Sequence, residues 1–213
     1  MGTLLNRRRY MGEKALPYDA EIEYLENPIG GNGGYINTGI IPTNATSSEI
    51  DFEVLQNDTN IPVCGVMAST TKRFILDTKV NNAIRFYWGS GSYEPRPYAY
   101  VNEHIKLVQE SNNISITSNR RDVSGSSRGN WGTIGYPICL FIYFIGEPTQ
   151  EGNAGVGLRI YYYKIYDNNT LVRDLVPVRV GTTGYMYDKV SDTLFGNAGT
   201  GDFTLGPDKI GGG

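Results

Sequence analysis

Ser48-Glu49-Ile50-Asp51-Phe52-Glu53-Val54-Leu55 is the stretch on which the fold turns. Apolar Ile50, Phe52 and Val54 alternate with acidic Glu49, Asp51 and Glu53. A period of two is that of a β-strand with one face turned to a core. Outward from it, short runs of the same kind alternate with turn residues. Ile22–Leu25 and Tyr35–Ile40 flank the Gly-rich segment 30–34. Pro62–Ala68, Arg73–Thr78 and Ala83–Trp88 follow, and Ile105–Gln109 with Ile114–Thr117 reads as a hairpin across Ser111-Asn112-Asn113. Tyr136–Ile145, Gly157–Tyr166, Leu171–Val180 and Tyr185–Asp188 complete the set, with Asp167-Asn168-Asn169 as a second hairpin turn. Many short strands with regular turn chemistry predict an all-β, two-sheet antiparallel sandwich.

Composition points the same way. The chain has 213 residues, with 16 Tyr and 27 Gly, and its stock of helix-favouring residues is thin. No apolar residue recurs at i, i+3, i+4 and i+7 over three turns, so no long helix is expected. A sandwich of this length folds as one domain. The run Ile138–Ile145 is apolar on both faces, which predicts a central strand covered by both layers. Cys64 and Cys139 both lie in apolar strand-like runs and read as buried thiols. A disulfide between them stays open at this level. Metal-ligand spacing of Cys and His is absent, and the Gly-rich stretches 30–34 and 196–201 match no phosphate-cradling motif. Neither a cofactor nor a metal is expected.

Charge is uneven. Arg7, Arg8, Arg9 and Lys14 against Glu13 leave +3 on residues 1–14, so with −3 overall the remainder carries −6. Residues 1–20 read as a basic N-terminal arm, 21–208 as the sandwich, and 209–213 as a Gly tail. So small a net charge argues against nucleic acid as the main partner. The opening Met-Gly-Thr-Leu-Leu-Asn-Arg-Arg-Arg has no apolar stretch of signal-peptide length, and no run is long enough to span a bilayer. The Asn-x-Ser/Thr sequences at Asn44, Asn57, Asn113 and Asn168 are therefore taken as coincidental.

Two segments together carry a resemblance. Glu23-Tyr24-Leu25-Glu26 followed by Tyr35-Ile36-Asn37-Thr38-Gly39-Ile40 resembles the opening of a family of concanavalin A-like, LamG-type domains. Lys164-Ile165-Tyr166-Asp167-Asn168-Asn169-Thr170-Leu171-Val172-Arg173-Asp174 resembles that family's closing motif. The likeness continues through Pro177-Val178-Arg179, Gly184–Asp188 and Leu194–Gly201. It spans roughly residues 21–208 and implies a jelly-roll sandwich of the kind found in gut Bacteroidetes and their phages and prophages. The fold hosts lectins, hydrolases and structural modules, so it leaves function open. Thr193–Phe195 and the return at Asn197–Gly201 read as a fold-closing element that brings the last strand beside the first.

For chemistry, Glu49-Ile50-Asp51-Phe52-Glu53 matches the E-[ILV]-D-x-E strand motif of retaining β-glucanases. In such enzymes the two glutamates serve as nucleophile and acid/base. The same letters suit a solvated polar face opposite Ile50, Phe52 and Val54, and that reading is taken. His104, the sole histidine, lacks a partner nucleophile motif. No catalytic residue is assigned. Two aromatic loops are the binding candidates: Trp88, Tyr93, Tyr98 and Tyr100 in the first, Trp131 in the second. Their rings suit sugar faces, and they equally suit packing against the sandwich edge or a neighbouring subunit. Arg7, Arg8 and Arg9 are docking candidates for acidic groups on another protein. Together these features predict a non-enzymatic phage virion component of head or tail, made in the host cytoplasm. It would be docked through its arm, present as a homo-oligomer or in many copies, and in contact with host-surface glycans. A stand-alone carbohydrate-binding module is the alternative, and a β-glucanase the third reading.

Overall fold

Alternation along Thr46–Val54 becomes geometry: Ser48, Ile50, Phe52 and Val54 are buried, while Ser47, Glu49 and Asp51 reach the outer side. The computed structural model describes residues 15–30, 33–56, 60–78, 83–94, 100–127, 129–146 and 156–209. Among these there is no α-helix. The strands in the first half are β1 (Ala20–Glu21), β2 (Leu25–Asn27), β3 (Ile36–Asn37), β4 (Thr46–Val54), β5 (Ile61–Ser69) and β6 (Lys72–Thr78). Then come β7 (Ile84–Trp88), β8 (Gly91–Tyr93), β9 (His104–Glu110), β10 (Asn113–Ser118), β11 (Asp122–Ser126) and β12 (Cys139–Leu140). The last six are β13 (Tyr143–Ile145), β14 (Leu158–Asp167), β15 (Thr170–Val180), β16 (Thr183–Asp188), β17 (Thr193–Phe195) and β18 (Thr204–Leu205).

An 11-stranded sheet runs β11-β10-β9-β4-β14-β15-β16-β17, joined by β1, β2 and β18, and faces a 7-stranded sheet ordered β3-β12-β5-β6-β7-β8 with β13 on β5. The two make the expected antiparallel sandwich, with β13–β5 as a parallel exception. Ile50, Phe52 and Tyr163 from the larger sheet share one core with Phe74, Phe86 and Trp88 from the smaller. Each fully buried Ile or Phe contributes about 1.5–3 kcal/mol.

Both expected hairpins form. Asn168 and Asn169 take φ of 47° and 62°, so the β14–β15 turn uses the left-handed pair that matches strand twist. The last strand lies beside the start of the sandwich as expected: β18 pairs with β2, and Ile22 bridges Asp208. Asn197 ties this closure, its Oδ1 accepting from Tyr35 N at 3.1 Å and from Gly199 N at 2.8 Å. A Cβ on Gly199 would lie 2.0 Å from Gly33 O, so only glycine permits that approach.

One expectation is corrected, and two further features become visible. The run 136–145 is not one central strand. It breaks after Leu140, where Phe141 adopts φ 68°, and returns as β13 along the same edge of β5. Its second face is covered by Tyr35 and Ala198 in a small separate cluster with Cys139, Ile142 and Phe144, not by the other sheet. The disulfide question closes because Cys139 pairs with Gly65, leaving Cys64 one position along on the opposite face. Cys64 lies in the main core and Cys139 in the small cluster, and burial raises both thiols to about 12. Finally, the arm is already part of the sandwich at its C-terminal end. Tyr18 packs edge-on to Tyr187 at 4.9 Å, Asp19 N donates to Arg179 O at 2.9 Å, and Ala20 pairs with Arg179. Residues 1–14, with Arg7, Arg8 and Arg9, and residues 210–213 lie outside the described residues.

Candidate functional site

The larger sheet turns one face to the core and the other outward, and strand register sets outward side chains in rows. Tyr166, Ser47, Glu110, Asn113 and Ser126 make the first row across β14, β4, β9, β10 and β11. Lys164, Glu49, Val108, Ser115 and Ser124 make the second, and Tyr162, Asp51, Lys106, Thr117 and Asp122 the third. Arg159, Glu53 and His104 form a shorter fourth row. Five strands at about 4.8 Å spacing make this face about 19 Å wide.

A β-bulge shapes it. Ile160 pairs with Phe52 but Tyr162 with Asp51, so Tyr161 is an extra residue on β14. Alternation is suspended there, and consecutive Tyr161 and Tyr162 both stand on the outer side while Tyr163 enters the core. Each outer tyrosine donates to one carboxylate: Tyr161 Oη to Glu53 at 2.7 Å, Tyr162 Oη to Glu49 at 2.6 Å.

Within the third and fourth rows, Tyr162, Asp51, Lys106, Arg159, Glu53 and His104 are all engaged with neighbours. Arg159 Nε donates to Glu26 at 2.6 Å and its Nη1 to Glu53 at 3.2 Å, with the guanidinium 4.4 Å from the Tyr24 ring centroid. His104 pairs through Nε2 with Asp51 and stacks on Tyr161 at 4.1 Å. Lys106 Nζ lies 2.8 Å from Glu49. The expected solvated face is thus corrected: Glu53 is only 8% exposed, and all three carboxylates are held by neighbours. Burial alone would raise Glu49, but hydrogen bonds from Lys106 and Tyr162 outweigh it and hold its carboxyl below the usual range. Burial lifts Asp51 above its ordinary value, and pairing with His104 offsets this only in part. Burial and the acceptor carboxylates together push the Tyr161 and Tyr162 hydroxyls well up.

A retaining glycosidase needs one carboxyl group to deliver a proton and a second to attack, about 5–5.5 Å apart. Glu49 is held ionised by Lys106 and Tyr162, and Glu53 is bound to Arg159 and Tyr161, so both glutamates stand as hydrogen-bond acceptors. The carboxyl group whose burial favours the protonated form is Asp51, between them.

The first and second rows differ. Side chains on β10 and β11 are short there, and Val108 floors the centre, so the surface dips. A hollow of about 250 Å³ lies over Ser47, Glu49, Val108, Glu110, Tyr166 and Asn169. A second, of about 230 Å³, shares Val108 and Glu110 and continues over Asn113, Ser115 and Ser124. Hydroxyls, amides, two carboxylates and one aromatic ring line this trough. Among the described residues the Glu110 carboxylate has no hydrogen-bond or ion-pair partner.

The aromatic candidates read from the sequence lie elsewhere and do not form one group. The first aromatic loop begins in a hairpin, β7–β8, with Trp88 paired to Gly91. Trp88 is 4% exposed in the main core, its ring 4.4 Å from that of half-buried Trp131. Tyr93 closes the sandwich edge: it packs on the core, donates to Ser124 O at 3.0 Å, and occupies the space a Cβ on Gly125 would need. Tyr100 stands apart, 43% exposed, with Arg120 over its ring at 4.8 Å. Tyr98 lies outside the described residues. For Trp88 and Tyr93 the packing reading describes what the rings do. Tyr161, Tyr162 and Tyr166 were passed over as strand residues. Their signal was the E-x-D-x-E strand itself, whose outer face needs partners from its neighbours.

No family model matches the chain, and no curated protein sequence matches it. Its fold is similar to that of a protein from Bacteroides ovatus to which carbohydrate binding has been ascribed, at 11% identity and a TM-score of 0.52. That match covers 87% of this chain but 60% of the other, so the chain spans less than two thirds of its length. Weaker matches are a Trypanosoma rangeli sialidase mutant with trans-sialidase activity (12% identity, TM-score 0.40, 61% of this chain and 21% of that one) and an alginate lyase from Alteromonas (8%, 0.32, 64% and 73%). At such identities the likeness is one of fold, and the fold is a β-sandwich of the jelly-roll kind.

Proposed function

We propose that this protein is a non-catalytic glycan-binding module whose binding surface is the trough on the outer face of the larger sheet. The observation that carries this reading is the pair of adjoining hollows over the first two rows, lined by hydroxyls, amides and carboxylates beside the Tyr166 ring. Sugars present hydroxyls for the polar groups and C–H faces for the ring. The carbohydrate binding ascribed to the Bacteroides ovatus protein of like fold is consistent with it. Binding to a panel of immobilised polysaccharides tests it. The wild-type chain binds at least one, and Tyr166→Ala or Ser115→Trp, the latter filling the trough, weakens that binding about tenfold with an unchanged unfolding midpoint. Failure to bind any polymer overturns the reading. Release of reducing ends from β-glucan, abolished by Glu53→Gln, would instead make the protein a hydrolase.

A second reading attaches to the basic arm. Arg7, Arg8 and Arg9 give residues 1–14 a charge opposite to that of the sandwich, which suits docking to an acidic surface on a larger assembly such as a phage particle. In that setting the glycan-binding face would be displayed in many copies on the virion. Deleting residues 1–14, which leaves Tyr18 and β1 in place, abolishes incorporation if the arm docks the protein. Retained incorporation overturns that role.

A further inference from the structure

We infer that Glu110 is a specificity-determining residue that excludes anionic glycans from the trough. This rests on the glycan-binding reading and goes on to name the ligand class. Glu110 sits in the first row between Ser47 on β4 and Asn113 on β10, and with Val108 it lines both hollows. Any chain long enough to occupy both hollows therefore passes over its carboxylate. The charged residues lining the hollows are Glu49 and Glu110, both acidic. They differ in one respect. Glu49 is neutralised by Lys106 at 2.8 Å, with Lys164 opposite it in register, while Glu110 is exposed and unpaired among the described residues.

The consequences are electrostatic and directional. An ionised carboxylate only accepts hydrogen bonds, so it favours a ligand that presents hydroxyl donors. A uronate or sulfate placed over it meets like charge at short range, and among the described residues no cation lines either hollow to compensate. Elsewhere on this face Arg159 and Lys106 are spent on Glu26, Glu53 and Glu49, and Lys164, over the Tyr162 ring at 5.4 Å, stands opposite Glu49 in register. The repulsive element against anionic polymers is thus part of the site and does not depend on the rest of the protein's charge.

Equilibrium binding of the full chain to neutral polymers (laminarin, mannan, arabinoxylan) and anionic ones (alginate, polygalacturonate) tests this at fixed ionic strength. Wild type prefers its best neutral polymer over either anionic one by about tenfold or more. Glu110→Gln weakens neutral binding by up to about fivefold, and Glu110→Lys narrows the neutral-to-anionic preference by at least about fivefold. Because Glu110 is exposed, both variants fold, as unchanged unfolding midpoints will verify. Alginate or polygalacturonate binding as tight as the best neutral polymer, or a preference unmoved by Glu110→Lys, overturns the inference while glycan binding itself stands. Wild type binding neither class removes the glycan-binding reading and this inference with it.

Discussion

The β7–β8 edge with Trp131 and the outer face of β4, β9 and β14 make an instructive pair. The first has the composition of a binding site, Trp88, Tyr93 and Trp131 among glycines, yet Trp88 is core and the other two rings pack against it. The second reads in sequence as the polar side of an ordinary strand, yet it carries an ion-paired network beside an open trough. Aromatic content shows that a ring is present, not which side of the sheet it faces. Trp88 faces inward because Phe86 and Ile84 set the phase of its strand. Tyr161 and Tyr162 face outward together because a bulge breaks that phase.

The largest effect should separate the two regions outright. Trp88→Ala removes a core side chain and costs about 3–5 kcal/mol of stability, read by urea unfolding, with the affinity of the remaining folded protein unchanged. A stable Trp88→Ala variant that loses glycan binding would reverse the contrast. Near another aromatic candidate, Tyr100, Glu103 is fully buried and accepts from Arg121 Nη2 at 2.8 Å and from Tyr100 N at 2.8 Å. Arg121→Ala strands that carboxylate and costs about 3–5 kcal/mol, whereas Tyr100→Ala, which keeps the backbone N–H, costs far less. Equal losses would mean that the ring, not the ion pair, holds this corner.

Smaller effects sharpen the picture of the β4 face. Glu49 is held below its usual value, so its contribution is present above about 4.5 and is lost as pH falls through its folded-state value. Asp51 is raised, so the folded state binds a proton the unfolded chain has released, and stability falls as pH rises from about 3.8 through its folded-state value. Glu49→Gln therefore flattens the acid side of the unfolding midpoint against pH, and Asp51→Asn removes the decline on the higher side. Identical profiles for the two variants would show that their partners do not set these shifts. The smallest effect belongs to the edge: Tyr93→Phe loses one hydrogen bond to Ser124 O and about 0.5–1.5 kcal/mol, with no change in binding.

Much of the fold was legible. Strands β4, β9, β10, β14 and β15 lie within a residue or two of their expected spans, because alternation and Asn-rich turns are local signals. The run 136–145 misled, since an all-apolar stretch has no phase and so hides the reversal at Phe141. β8 and β11 passed unnoticed because Gly91-Ser92-Tyr93 and Asp122–Ser126 carry little apolar patterning of their own. Of the site, the carboxylates of β4 were seen and their partners were not.

The sequence by itself determined the class of fold, the strand bearing Glu49, Asp51 and Glu53, and the return at Asn197–Gly201 that sets the last strand beside the start of the sandwich. These follow from period-two patterning and from glycines that only particular turns require. Tertiary structure alone decided that Arg159, Tyr161, Tyr162, His104 and Lys106 converge on those carboxylates, and that Ser47, Glu110 and Asn113 align beside an open trough. Cross-strand neighbours are set by register and by one bulge. Both depend on pairing between segments more than a hundred residues apart, such as β4 and β14, which no local pattern encodes.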